Sequence, residues 1–278
     1  MKSLIIRIEC ADAIGLVFKI TEIFFRAKLN IIENGEYVDE LNKRFFMRSV
    51  VSGQVPDNEA LKRDLLQVLP QGARVDISTN DTKKIVVFAT KEHHCLGDLL
   101  LRNLYKQSNF EIQAVIANHA DLGDLVRKFN LTFHYLPTEG KTRQTHESKI
   151  GTLLAKYNYD YLVLAKYMRI LSPEFVAQFA YKIINIHHSF LPAFIGAKPY
   201  NQAFERGVKI IGATAHFVTD DLDQGPIIYQ DVMNVSHHYT AKELAKAGKE
   251  VETAVLARAL ELVFEERVMI NGNKTIIF

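Results

Sequence analysis

The sequence predicts an α/β protein in two domains, and three observations carry that prediction. Residues 1–80 pass through strand and helix periodicities in the order βαββαβ. A polar stretch, STNDTKK, follows at residues 78–84. Over residues 84–278, short apolar runs then alternate with helical patterns, the signature of an open, mainly parallel sheet covered on both faces.

In the first domain, apolar and polar residues alternate from Leu4 to Cys10, as in a half-buried strand. Asp12 and Gly15 open a helix whose Leu16, Ile20, Ile23, Phe24 and Ala27 recur at helical spacing. Two strands, Ile31 to Val38 and Arg44 to Val51, flank the polar DELNK as a hairpin. A second amphipathic helix carries Leu61, Leu65, Val68 and Leu69, and a last strand sets Val75 and Ile77 against Arg74 and Asp76. This order gives a four-stranded antiparallel, ferredoxin-like sheet with two helices on one face, closed by the linker at 78–84.

In the second domain the strand candidates are IVVFAT, IQAVIAN, LTFHYL, YLVLAK and KIINIHH. TAKELAKAGKEVETAVLARALELVFEERV reads as a long helix, and INGNKTIIF as the strand and turn that finish the domain. Ligands of open α/β sheets bind beyond the carboxyl ends of the strands.

Composition narrows the function. Of 278 residues, 48% are hydrophobic and 24% charged, as expected for a folded soluble protein. The net charge is +2 and no lysine or arginine run appears, which argues against a nucleic-acid or membrane partner and for a small molecule. Cys10 and Cys95 fit neither a disulfide framework nor a zinc pattern, and the start MKSLIIRIEC lacks the features of a signal peptide. A cytoplasmic location is therefore expected.

The chemistry centres on NIHHSFLPAF at residues 185–194. Lys182 to Ile186 reads as a buried strand, and Pro192 and Gly196 mark the loop leaving it. Successive side chains on a strand face opposite ways, so Asn185 and His187 share one face while His188 points to the other. One metal ion is poorly placed to be gripped by both histidines. Downstream, a second strand ends at His216 and an acidic loop holds Asp220, Asp221 and Asp223, the first two reading as solvated charges.

The segment NIHHSFLPAFIGAKPYNQAFERGVKIIGATAHFVTDDLDQGPII resembles the formyltransferase family that handles 10-formyltetrahydrofolate, whose signature joins Asn-x-His to a later His and Asp seven residues apart. Those positions are Asn185, His187, His216 and Asp223. HHSFLPAFIGAKPY, KEHHCLGDLL and LAKYMRIL look most like its hydrolytic, deformylase branch, which carries an ACT-type domain before a Rossmann-like catalytic domain. One departure is Ala11 in CADAIGL, where the family usually has proline.

The resemblance implies hydrolysis of 10-formyltetrahydrofolate to tetrahydrofolate and formate, a step of one-carbon metabolism that supplies formate for purine biosynthesis, with no metal and no cofactor beyond the folate substrate. Attack on the formyl carbon builds charge on its oxygen, which fixed donors stabilise. Asn185 and His187 would supply them, Asp223 would position water and tune His187, and His216 would support Asp223. Met168, Arg169, Ile170, Leu171 and Val218 would hold the pterin. ACT-type units commonly pair and bind small effectors, often amino acids. That implies a homo-oligomer with candidate effector contacts at Asp12, Gly15 and Asn34, or a domain that serves assembly alone.

Three rival readings remain at this point: formyl transfer to an amine such as glycinamide ribonucleotide, metal-dependent hydrolysis through His187, His216 and Asp223, and a non-enzymatic amino-acid sensor. The turn ATKEHHCLGDLL weighs against the first. A phosphate-binding turn brings glycine amides around the anion, whereas here Glu92 would repel it and the only glycine, Gly97, lies inside the following helix.

Overall fold

The computed structural model describes residues 3–53, 57–192 and 199–278, and Gly196, expected in the loop after the histidines, lies outside them. The chain divides into two units, which we treat separately.

The first unit contains strands β1 (Ser3–Ala11), β2 (Asn30–Asp39), β3 (Arg44–Ser52) and β4 (Arg74–Thr79), with helices α1 (Leu16–Arg26) and α2 (Asn58–Val68). The strands lie in the order β2-β3-β1-β4 and every pair is antiparallel, the ferredoxin-like arrangement expected from βαββαβ. Helix α1 starts after Gly15, whose φ of 80° suits a residue without a side chain. The helix buries Leu16, Ile20, Ile23 and Phe24 against Ile6, Ile8, Met47 and Leu65. Each such side chain contributes about 1.5–3 kcal/mol by leaving water. Asp57 caps α2 by accepting from the Glu59 amide at 2.9 Å.

Two boundaries differ from the sequence reading. Ser78 and Thr79 pair with Ile5 and Leu4 on β1, so strand pairing consumes the start of the expected 78–84 linker. Glu265–Met269 and Ile276–Phe278, expected in the second domain, belong to the first unit. The physical reason is Arg48, buried on β3, which donates from Nε to the Glu266 carbonyl at 3.0 Å and from Nη2 to the Glu265 carbonyl at 3.1 Å. A buried guanidinium needs such acceptors.

The second unit adds, in chain order, β5 (Lys83–Ala89), α3 (His94–Leu104), β6 (Phe110–Ala117), α4 (Gly123–Lys128), β7 (Phe133–Tyr135), α5 (Arg143–Leu154), β8 (Tyr161–Leu164), α6 (Pro173–Val176), β9 (Ile183–His187), α7 (Pro199–Arg206), β10 (Ile210–Phe217), β11 (Ile227–Asn234) and α8 (Ala241–Phe264). A short hairpin, β12 (Val268–Asn271) and β13 (Lys274–Ile277), ends the chain. Seven strands form one sheet in the order β11-β10-β9-β8-β5-β6-β7. Pairs from β9 through β8, β5 and β6 to β7 are parallel, while β10 and β11 run antiparallel at one edge. The sheet is thus mainly parallel. Its interior strand β5 is apolar and fully buried from Ile85 to Ala89, and Val86 and Phe88 on one face pack on Ile150, Leu154 and Phe175.

Candidate active site

β9 ends at His187, where the sheet changes from parallel to antiparallel pairing. In the β9–β10 register Asn185 opposes His216 and His187 opposes Thr214. Residues two apart share a face, and so do directly opposed residues on neighbouring strands. All four side chains are therefore delivered to one side of the sheet. Asp223 reaches them from the loop between β10 and β11, with φ 56°, a conformation uncommon for a residue with a side chain.

Hydrogen bonding fixes one imidazole. His216 Nδ1 donates to the Phe217 carbonyl at 2.9 Å, so Nε2 carries the lone pair and accepts from Asn185 Nδ2 at 3.1 Å. Burial, the largest influence, lowers the His216 pKa below the usual histidine value and agrees with a neutral ring. Its Nε2 is 3.7 Å from Asp223 Oδ1, too far for a hydrogen bond. His216 was expected to support Asp223; in the structure it orients Asn185 instead, because the β9–β10 register sets those two residues face to face.

His187 Nδ1 lies 3.3 Å from Asp223 Oδ2, and the buried His187 Nε2 has no hydrogen-bond partner. Burial alone would raise the Asp223 pKa, but the His187 hydrogen bond and the neighbouring imidazoles outweigh it and hold the carboxyl below its ordinary value. His188 does not face away from His187 as strand alternation predicts, because β9 ends at His187; it stacks on that ring with centres 5.1 Å and planes 20° apart and lines the same cavity. Burial, Lys166 and His187 together push its pKa down to about 4.

These groups line a cavity of about 530 Å³. Every residue expected to hold the pterin also lines it: Met168, Arg169, Ile170, Leu171 and Val218. Met168 and Ile170 are 56% and 53% exposed, leaving apolar surface at the wall for a flat ring. Asp220, read from sequence as a solvated charge, is exposed and also reaches the cavity, whereas Asp221 does not.

The candidate effector residues do not form one site within the chain. Asp12 follows Ala11, which pairs with Arg44 and through it lies level with Asp39, while Asn34 lies level with Ser49 and Ile6. Five residues of strand separate the two positions, roughly 17 Å. Asn34 also engages Ser49 at 2.6 Å and Glu36 at 2.8 Å.

Sequence reading missed a buried polar cluster beside the cavity. Glu252 of α8, 1% exposed, meets His94 Nε2 at 2.7 Å, the Tyr200 hydroxyl at 2.6 Å and Lys166 Nζ at 3.1 Å. Burial opposes its ionisation, yet His94, Lys166 and Tyr200 bring its pKa down to about 2. His94, Cys95 and Glu252 also fall within reach of a single metal ion. Their chemistry does not suit one: the Glu252 oxygen nearest His94 already faces an ammonium, and burial pushes the Cys95 thiol up, away from the thiolate a metal requires.

An open α/β sheet with Asn, two His and Asp converging at its switch from parallel to antiparallel pairing defines a formyl-transferring class, and the family described as Formyl transferase matches residues 83–260. The formyltetrahydrofolate deformylase of Escherichia coli (strain K12) is 52% identical over 98% of this chain and 97% of its own. A crystal structure of a formyltetrahydrofolate deformylase from Pseudomonas syringae superposes with a TM-score of 0.95 at 37% identity, covering 100% of this chain and 95% of that one. A glycinamide ribonucleotide transformylase from Symbiobacterium toebii is 27% identical with a TM-score of 0.68, covering 75% of this chain and 100% of its own. The chain belongs to the formyltetrahydrofolate deformylase family.

Proposed function

We propose that the protein hydrolyses 10-formyltetrahydrofolate to tetrahydrofolate and formate. The observation that carries this reading is the apposition of His187 and Asp223 in a cavity that Met168, Ile170, Leu171 and Val218 also line with apolar side chains. With Nδ1 held by the Asp223 carboxylate, His187 points Nε2 at the formyl oxygen and, when that nitrogen carries a proton, donates it to the negative charge that develops there, beside the Asn185 amide. Asp223 orients the attacking water, His187 passes a proton to the leaving nitrogen of the folate, and one proton of the water replaces it while the other leaves as the formic acid ionises. The C–N bond breaks, water supplies the new C–O bond, and no electrons change hands.

The scheme needs no metal, since His216 Nε2 engages Asn185 and His187 Nδ1 faces Asp223. Full activity after prolonged chelation tests that point. Incubation with 10-formyltetrahydrofolate alone tests the reaction: equal amounts of tetrahydrofolate and formate are expected, and an inert wild-type protein would refute it. The likeness to a transformylase favours one other reading, formyl transfer to glycinamide ribonucleotide. Formation of a formylated nucleotide as fast as formate would favour that reading. The turn from β5 into α3, which carries Glu92 and no glycine, speaks against a phosphate there.

The same reading extends to assembly. Exposed Phe18 and Phe25 on α1 and Ile32 and Tyr37 on the edge strand β2 suit an ACT-type pairing of the first unit with a second copy, and such a pairing could join an Asp12–Gly15 loop to a partner's strand. Sedimentation and calorimetric titration with an amino-acid panel test the homo-oligomer and the effector; a monomer and silent titrations would remove both.

A further inference from the structure

Lys166 lines the catalytic cavity, yet the mechanism above makes no use of it. It follows β8 with φ 61°, is 7% exposed, and sends its ammonium away from solvent to Glu252. Glu252 is in turn gripped by His94 at the N-terminus of α3 and by Tyr200 of α7. Tyr200 packs so tightly against α8 that a β-carbon at Gly248 would lie 2.1 Å from its hydroxyl oxygen. On the other side the Tyr200 ring is 6.5 Å from His188, which stacks on His187. A continuous chain of contacts therefore runs from the catalytic imidazole through His188 and Tyr200 to the Lys166–Glu252 pair, closing the wall between the reacting centre and the turn that enters α3.

We propose that Lys166, locked by Glu252, Tyr200 and His94, is a specificity-determining plug that denies the formyl carbon to any acceptor larger than water. The inference rests on the hydrolytic reading and deepens it. Two reactants must meet at the formyl carbon. Met168, Ile170, Leu171 and Val218 take the flat folate ring, which leaves the Lys166–His188 wall for the acceptor. A buried ion pair tied to three elements is costly to move, so that wall does not yield to an incoming amine. Water, which needs only a single small site, is still admitted. Without the plug, a primary amine attacks instead: its nitrogen bonds to the formyl carbon, the bond to the folate nitrogen breaks, and the proton lost by the amine goes to that folate nitrogen. The products are tetrahydrofolate and an N-formyl amine, with no oxidant or reductant required.

The test is the partition ratio, N-formyl product over formate, in 10-formyltetrahydrofolate turnover with hydroxylamine or glycinamide present. Because it is a ratio, it is insensitive to how much total turnover a variant retains. The wild type is expected to give formate alone with glycinamide. Lys166→Gly, whose backbone φ suits glycine, is expected to raise the glycinamide ratio at least about tenfold, whereas Lys166→Met, which keeps the bulk and loses the charge, stays near wild type. Since the single change strands the Glu252 charge, Lys166→Gly with Glu252→Gln carries the test if the single variant does not fold. N-formylglycinamide from the wild type, or an unchanged ratio in whichever glycine variant folds, would overturn the plug. Failure of wild-type protein to release tetrahydrofolate at all would instead overturn the hydrolytic reading.

Discussion

The side chains of Asn185 and His216 meet across directly opposed positions of β9 and β10, with the His216 Nε2 lone pair 3.1 Å from the Asn185 amide nitrogen. The Phe217 carbonyl holds the other ring nitrogen, so the amide is turned by a partner that cannot itself rotate.

From that relationship, Asn185→Ala is expected to lower kcat by about 100-fold or more, the usual effect of losing one donor to a developing oxyanion. His216→Ala removes only the orientation and should cost about tenfold in kcat with little change in KM. Steady-state kinetics distinguish the two, and equal losses would show that His216 acts on the substrate directly. Asp223→Asn keeps the shape and removes the charge that holds His187, so it should fall with Asn185→Ala.

His188 supplies a pH prediction. Its pKa is about 4 in the folded protein, lowered by burial, Lys166 and His187 against the opposing pull of Glu252 and Asp223, while an unfolded histidine titrates near about 6.5. Between those values the unfolded chain binds a proton that the folded chain does not, so stability drops as pH falls from about 6.5 towards about 4. His188→Gln should lose less stability over that window. Urea midpoints at pH 7, 5.5 and 4 measure it, and parallel curves for the two proteins would refute the shift.

How much of this site is legible in sequence depends on how local each relation is. That Asn185 and His187 share a face follows from the two-residue period of a strand and needs no tertiary information. The wall Met168–Leu171 is equally local, since it is one continuous stretch that follows β8. The pairing of Asn185 with His216 depends on the register of two strands joined by a long connection, and no residue type in that connection encodes it. Lys166 and Glu252 were missed for the same reason: each reads as an ordinary surface charge, and only the packing of α8 against the sheet buries them together. Register also separates Asp12 from Asn34, two positions that only the family resemblance grouped as effector contacts.

Glu252 tests that buried cluster as structure. Glu252→Ala leaves the Lys166 ammonium buried without its counter-charge and should destabilise the protein by about 3–5 kcal/mol in denaturant titration. Changing Lys166 and Glu252 together to methionine should recover most of the loss. A double variant no better than the single one would show that Tyr200 and His94, rather than the ion pair, hold the cluster together.

The loop carrying Asp223 is closed by a contact that only glycine permits. A β-carbon on Gly225 would sit 1.8 Å from the Phe217 carbonyl oxygen and 3.2 Å from the Thr219 side chain, and the Phe217 amide also donates to the Pro226 carbonyl at 3.0 Å. Backbone cannot yield that far without moving the loop. The displaced oxygen is the one that fixes the His216 tautomer, and Asp223 lies two residues before the glycine. Gly225→Ala should therefore disturb the carboxylate and the Asn185–His216 pair at once, lowering kcat by about 100-fold while the far-ultraviolet circular dichroism stays that of the wild type. The two losses share one cause, so adding His216→Ala to Gly225→Ala should cost less than its effect alone. Additive losses in that double-variant cycle would disconnect the loop from the asparagine and refute the coupling.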